Sequence, residues 1–313
     1  MKAIGFYQYG SAKELQEIEL PLPHPDSKQV VVKLKATSIN PIDWKLRQGY
    51  LQQMFKWQFP IVVGWDAAGV ITEVGSEVTD WHVGDEVLAR PDTTSRGTYA
   101  EYTLVDQNLL AHKPQNVSFE AAAAVPLAGL TAWQALFDFG KLTAGQKVLI
   151  QAGAGGVGSY AIQFAKHFGA EVWTTASANH TELLKKLGAD QVIDYHQPTE
   201  VAKLKDFDLI FDTLGGKNQV AAFAWLKTGG KQISIAGQAE ESAGLAAKNN
   251  QEFKSIWLRP DGQQLQKIAD LMGAGIVESQ IGKVLPFSKD GLITAHELSE
   301  TNHAEGKIVI TFD

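Results

Sequence analysis

The sequence predicts an α/β protein in which a β-rich part is joined to a doubly wound parallel sheet. Three observations predict it. The first third consists of short strand-like runs punctuated by glycine. From residue 147 onward, strand-like and helix-like runs alternate, and a glycine-rich loop sits at the first strand-to-helix turn of that alternation. With 313 residues the chain is long enough for two domains and a full core, so it needs neither disulfides nor metals to fold.

The elements follow in order. Residues 30–36 alternate apolar and polar, 68–74 form the next strand, and 86–89 and 99–105 continue the series. Gly64, Gly69, Gly75 and Gly84 mark the turns, so this region reads as a compact barrel or sandwich. Residues 119–137 are alanine-rich and helix-like, interrupted by Pro126 and Gly129. Strands are expected at 148–152, 171–175, 191–194, 209–212 and 232–236, with helices from Gly156 and through Leu187 between them. That spacing implies parallel pairing. A helix at 262–272 and a strand at 307–312 close the chain, and the strand is placed to rejoin the first domain.

Composition narrows the function. Hydrophobic residues make up 44% and charged residues 20%, as in ordinary globular proteins. There is no cysteine, which removes thiolate catalysis and every cysteine-ligated metal site. A net charge of −7, with acids and bases interspersed, offers no basic patch to track phosphates, so no nucleic-acid partner is expected. No stretch approaches the roughly 18 consecutive apolar residues of a membrane span. The first residues enter a strand pattern rather than an apolar leader, so a cytoplasmic location is expected.

The strongest chemical signal is the loop Gly153, Ala154, Gly155, Gly156, Val157 and Gly158, between a buried strand and a helix. In dinucleotide binding the first glycine permits the tight turn, the second lets backbone approach the pyrophosphate, and the third lets helix and strand pack closely. The helix N-terminus offers N–H groups and a positive dipole end. An NAD-type site carries an acid about 20 residues past the first glycine. Here that stretch runs through Ser177 and His180 with no acid before Glu182, so NADPH is the expected cofactor, although no arginine is present to clamp its phosphate.

Several motifs together resemble the medium-chain dehydrogenase/reductase superfamily, in its zinc-free quinone oxidoreductase-like branch, over essentially the whole chain. They are Asn40-Pro-Ile-Asp43 with Arg47 and Gly49, Gly64-Trp-Asp-Ala-Ala-Gly69, Val83-Gly-Asp-Glu-Val87 and Gly97-Thr-Tyr-Ala-Glu-Tyr102. Ala128-Gly-Leu-Thr-Ala132, Gly153 to Gly158, Leu187-Gly-Ala-Asp190, Tyr195, Ala295-His-Glu-Leu298 and Gly306-Lys-Ile-Val309 complete the set. The resemblance implies a GroES-like substrate domain (residues 1–122 and 258–313), interrupted by a Rossmann domain (residues 123–257), with the active cleft between them. The places of the zinc ligands in metal-dependent members look like Asn40, Trp65 and Leu127, none of which is an ordinary zinc ligand, so no metal is expected.

By the same resemblance Thr131 approaches the nicotinamide carboxamide, Ala236 and Gly237 line its pocket, Leu214 passes near the adenosine half, and Tyr195 touches the 2′-phosphate. The plain alternatives are a self-capping threonine, a strand-to-helix turn and a strand-end tyrosine. Hydride transfer to an enone or quinone puts charge on a carbonyl oxygen, which needs a donor. Asn40, Lys45 and Tyr50 are the candidates, against a turn asparagine and two solvated side chains. Trp57 and Trp65 are candidate flat walls for a planar substrate, or else core. Asp43 and Arg47 are equally open to reading as a structural ion pair that holds this loop. His24, His82, His112, His167, His196, His296 and His303 show no metal spacing and are read as structural or solvent-facing.

The expected activity is therefore metal-independent reduction of a small planar quinone or α,β-unsaturated carbonyl by NADPH. The rivals are an alcohol or aldehyde dehydrogenase and a non-catalytic NADPH-binding sensor. An edge strand near residues 253–257 is expected to pair two copies into a dimer.

Overall fold

The structure is a computed structural model, and it describes residues 1–302 and 304–312. Contacts divide the chain into two compact units, Met1–Ala128 with Pro260–Asp313, and Gly129–Arg259. The expected joins lay after residues 122 and 257. The helix Phe119–Ala123, capped by the Ser118 hydroxyl, packs on the strands Gln29–Ser38 and Ala67–Val74 and so belongs wholly to the first unit.

The first unit is a GroES-like β domain. Its seven-stranded sheet runs Ile281–Pro286, Lys307–Thr311, Gln29–Ser38, Ala67–Val74, Glu86–Ala89, Leu110–His112, with Tyr102–Asp106 also paired to Gln29–Ser38. The closing strand does rejoin this sheet: Val309, Ile310 and Thr311 pair antiparallel with Ser38, Thr37 and Ala36. Val30, Val32, Leu34, Ile71 and Val105 fill one core, and Phe6, Leu46, Val63, Trp65 and Tyr99 help fill another. The expected strand 99–105 begins only at Tyr102, because Tyr99 turns into that second core. Gly64 makes room for it. With φ at +93°, its bare Cα lies where a Cβ would meet the Tyr99 ring at 2.5 Å.

The second unit is a Rossmann-type α/β domain. Its six parallel strands run in the order Gln191–Asp194, Glu171–Ala176, Lys147–Ile150, Phe207–Asp212, Leu226–Ser234, Glu252–Ser255. Val148, Leu149 and Ile150, and Leu209, Ile210 and Phe211, are buried on both faces, as in a sheet covered on both sides by helices. The chain leaves Lys147–Ile150 to one side for two strands, then returns to the other side at Phe207–Asp212. That reversal opens a crevice at the carboxyl ends of those two central strands.

The expected helix 119–137 is three pieces: Phe119–Ala123, Pro126–Trp133 and a π-helical stretch, Gln134–Phe139. Among the described residues no helix is long and apolar enough to cross a membrane.

Candidate active site

In the second unit the glycine loop caps the central strand at the crevice. Ala152 takes a positive φ of 52°, its N–H donates to Thr175 Oγ1 at 3.1 Å, and its carbonyl accepts the Gly155 N–H at 3.0 Å. The three glycines differ in what they make room for. A Cβ on Gly153 would lie 2.1 Å from Thr174 Oγ1, and one on Gly158 would lie 2.4 Å from the Ala152 carbonyl oxygen, so both are demanded by packing. A Cβ on Gly155 would meet only the Ala152 oxygen, at 3.3 Å, and would otherwise stand in open space. Gly155 is also the N-cap of the twelve-residue helix Gly156–His167. The N–H groups of its first turn, from Gly156 through Gly158, have no intrahelical acceptor. An open cradle beside such a helix start fits a pyrophosphate.

The loops after the neighbouring strands are tied down by buried side chains. Asp212 accepts the Leu214 and Gly215 N–H groups at 3.0 and 2.9 Å, and its other oxygen accepts Gln219 Nε2 and the Ser234 hydroxyl, each at 2.7 Å. Gln219, itself buried, donates to the Gly237 carbonyl at 3.0 Å and accepts from the Ala239 N–H and the Ser242 hydroxyl at 2.7 Å. One carboxylate and one amide thus hold Leu214 and Gly237 on adjacent loops. On the other side of the central strand, Ser177 Oγ and the Tyr195 hydroxyl meet at 3.0 Å, although 18 residues separate them. His180 stands in the 3-10 turn after Ser177, and Thr131 is buried in the helix Pro126–Trp133.

In the first unit the structure assembles a buried polar cluster. Asn40 heads the helix Pro41–Arg47, and its amide is engaged at both ends. Nδ2 donates to Asp66 Oδ2 at 2.7 Å, and Oδ1 accepts Lys307 Nζ at 2.5 Å. Asp66 also accepts the Ser38 hydroxyl at 2.5 Å and the Leu127 N–H at 2.7 Å. Asp43 accepts the Asn40 N–H and the Tyr99 hydroxyl, both at 2.8 Å, and Tyr99 in turn meets His296 Nε2 at 3.1 Å. The expected Asp43–Arg47 ion pair does not form. Arg47, fully buried, pairs with Glu300 on the helix Lys289–Glu300.

Burial dominates the electrostatics here. It pushes the Asp43 carboxyl up to about 7, against the opposing hydrogen bonds from Asn40 and Tyr99, and Oδ1 of that carboxyl has no donor. It lowers His296 to about 3, and the Arg47 charge adds to the effect, so the ring is neutral. Burial also lowers Arg90 to about 10, lowers Lys307 against the attraction of Asp66, and raises Tyr99 well above the usual phenol range.

The remaining candidates separate by exposure. Lys45 and Tyr50 are exposed and flank Trp44, with the ammonium 5.5 Å and the phenol ring 6.4 Å from the indole centroid. Trp65 is completely buried and offers a ligand no surface, whereas Trp57, 6.1 Å from it, is half-buried. Sequence reasoning passed over Asp66, Tyr99, Lys307, Asp212 and Gln219 as site-building residues. The first three lie inside quoted motifs, and Asp212 ends a strand at the crevice, the signal that marks it. Of the two placements expected for the histidines, structural or solvent-facing, His296 takes the buried one. His303 lies outside the described residues.

A parallel sheet with this loop at its reversal point, and a GroES-like sheet in the other unit, define a pyridine-nucleotide-dependent oxidoreductase. The zinc-binding dehydrogenase family matches residues 187–310, and the alcohol dehydrogenase GroES-like domain matches residues 26–115. The 2-methylene-furan-3-one reductase of Solanum lycopersicum is 37% identical over 320 residues, covering 99% of this chain and 79% of that protein. The NADPH-dependent alkenal/one oxidoreductase, chloroplastic, of Arabidopsis thaliana shows the same identity and coverage, 37%, 99% and 79%. The structure of the quinone oxidoreductase from Coxiella burnetii superimposes with a TM-score of 0.92 at 34% identity, covering 99% of both chains. The chain belongs to the medium-chain dehydrogenase/reductase superfamily, with a quinone oxidoreductase-like fold. Among the described residues no group of three or more His, Cys, Asp or Glu side chains is arranged to hold a metal ion.

Proposed function

We propose that the protein is an NADPH-dependent reductase that delivers a hydride to quinones or α,β-unsaturated carbonyl compounds without a metal ion. The observation that carries the cofactor side is the paired hydroxyls of Ser177 and Tyr195, 3.0 Å apart. They stand where a hydroxyl-specific site would place a carboxylate. Hydroxyls there donate to the oxygens of a 2′-phosphate, which a carboxylate would repel. The Arabidopsis relative, named an NADPH-dependent alkenal/one oxidoreductase, supports the same reading.

Bound NADPH supplies the hydride. Gly155 and the helix start at Gly156, Val157 and Gly158, with Gly153 and Ala154 shaping the turn, hold the pyrophosphate. Leu214 borders the adenosine, and Thr131, Ala236 and Gly237 border the nicotinamide. On the substrate side Lys45 and Tyr50 present exposed donors for the oxygen that gains charge, and Trp57 presents a partly exposed ring. Asn40, its amide already bonded to Asp66 and Lys307, holds the segment that carries them. The edge strand Glu252–Ser255, paired on one side only, joins two copies into a dimer, and a monomeric mass at micromolar concentration would refute that.

The test is oxidation of NADPH and NADH, followed at the reduced-nicotinamide band with EDTA present. The panel is a benzoquinone, a naphthoquinone, an enone, an enal and a simple ketone. Turnover of a quinone or enone with NADPH preferred supports the proposal. EDTA-sensitive reduction of the ketone overturns its metal-free part, and cofactor binding with no turnover of any member overturns the substrate class.

A further inference from the structure

The loops that carry the Ser177–Tyr195 pair hold no strong cation. Residues 176–182 and 194–199 contain neither lysine nor arginine, the groups that ordinarily clamp a phosphate. They contain two imidazoles instead. His196 lies against the Tyr195 ring, 4.1 Å between centroids, and is exposed, as Tyr195 is. His180 follows Ser177 in a single 3-10 turn, with its N–H bonded to the Ser177 carbonyl at 3.0 Å. Two hydroxyls and two histidines are thus gathered at the carboxyl ends of the strands Glu171–Ala176 and Gln191–Asp194.

From this arrangement we infer that His196, together with His180, selects a cofactor bearing a 2′-phosphate over one bearing a 2′-hydroxyl, and that this selectivity grows as the pH falls toward the imidazole range. The inference rests on the proposed use of NADPH and adds a regulation to that site. A dianionic phosphate stabilises an imidazolium beside it, so binding draws a proton onto the ring. The neighbouring turns bring carboxylates to the site. Asp194 accepts the His196 N–H at 3.0 Å and brings a negative charge to the turn. Glu182 lies in the first turn of the helix Thr181–Lys186, while its lysines, Lys185 and Lys186, stand at the far end. On the helix Pro198–Val201, Glu200 is already paired with Lys203. Without protonation of the histidines, the carboxylates of Asp194 and Glu182 weigh against a phosphate.

The consequence is a proton count as well as an affinity. At pH 7.5 a phosphate monoester, with its second pKa about 6, is already almost fully dianionic. A proton taken up on binding at that pH therefore lands on the protein and not on the phosphate, and the variants below locate it. Below about pH 6 the phosphate itself protonates, and the selectivity levels off.

Isothermal titration of NADP⁺ and NAD⁺ into the full chain, in buffers of differing ionisation enthalpy from pH 8.5 to 6, reads both quantities. The expected result is uptake of a large fraction of a proton with NADP⁺ at pH 7.5 and none with NAD⁺. The ratio of the two affinities should rise by up to roughly tenfold per pH unit between 8.5 and 6.5. The variant H196Q should lose most of the uptake and flatten the ratio, and H180Q should lose the remainder. Equal affinities for the two nucleotides at every pH would overturn the NADPH reading itself. A phosphate preference with no proton uptake and no pH dependence would leave that reading intact and overturn this one. Uptake unchanged in H196Q but abolished in H180Q would overturn the assignment to His196.

Discussion

Replacing His296 with glutamine removes a ring that the fold holds neutral by burying it against Tyr99 and within reach of the Arg47 charge. Its folded pKa of about 3 lies below the unfolded value of about 6.5, so its contribution to stability is complete above pH 6.5. That contribution is lost as the pH falls toward 3. The slope approaches about 1.4 kcal/mol per pH unit, which gives about 2 kcal/mol of loss by pH 5 and roughly 5 kcal/mol in the limit. Asp43 works in the opposite sense. Its folded pKa of about 7 lies above the unfolded value, so its contribution is complete below about pH 4 and lost as the pH rises through 7. The two slopes nearly cancel between pH 4 and 6.5 in the natural chain. In H296Q only the Asp43 slope survives, and stability should rise as the pH falls across that window. In D43N it should fall by a similar amount. Urea unfolding of the three proteins at half-unit steps from pH 4.5 to 7.5 measures this, because groups common to all three cancel in the differences. Loss of the Tyr99 hydrogen bond adds a pH-independent cost of about 1 kcal/mol to H296Q. A difference between natural chain and H296Q that stays constant from pH 7.5 to 4.5 would refute the reasoning.

Three further substitutions separate folding from ligand binding. Gly155→Ala asks only that the Ala152 carbonyl give by a few tenths of an ångström, so its melting temperature should fall far less than that of Gly153→Ala, while NADPH affinity falls about tenfold or more, as equilibrium titration would show. Gly153→Ala drives a methyl into Thr174 and Ile162 and should cost roughly 1–3 kcal/mol of stability by calorimetry even without ligand. Lys307→Met leaves Asp66 and the Asn40 oxygen without their buried cation. It should cost about 3–5 kcal/mol, seen as a melting point lower by roughly 10 °C.

The strands and the glycine loop were legible because their signals are local. Residues 191–194 are a strand by their own pattern, and strand, loop and helix around Gly153 follow one another without a gap. The helix 119–137 was legible as helical but not as three pieces, since a π-helical turn leaves no mark on hydrophobic spacing. The polar cluster was least legible. Lys307 reaches Asn40 across 267 residues and Tyr99 reaches His296 across 197, and nothing local announces either partner. Asn40 illustrates the cost: its motif pointed to a substrate donor, and nothing local announced that Asp66 would take one of its amide protons and Lys307 its oxygen. Arg47 and Asp43, one turn apart, invited a pairing that each forgoes for a distant partner.

The π-helical stretch Gln134–Phe139 has one more effect. Gln134 donates to the Arg259 carbonyl at 2.7 Å and accepts the Arg259 N–H at 3.1 Å, and Asp138 meets the same arginine's guanidinium at 3.4 Å. The start and finish of the segment Gly129–Arg259 are therefore fastened together by its own atoms. A segment whose two ends are clasped behaves as a cassette: it interrupts a host chain at points that already lie side by side, so a host can accept it without being stretched apart. Expressed alone, residues 129–259 should keep that clasp and fold as a free-standing nucleotide-binding domain.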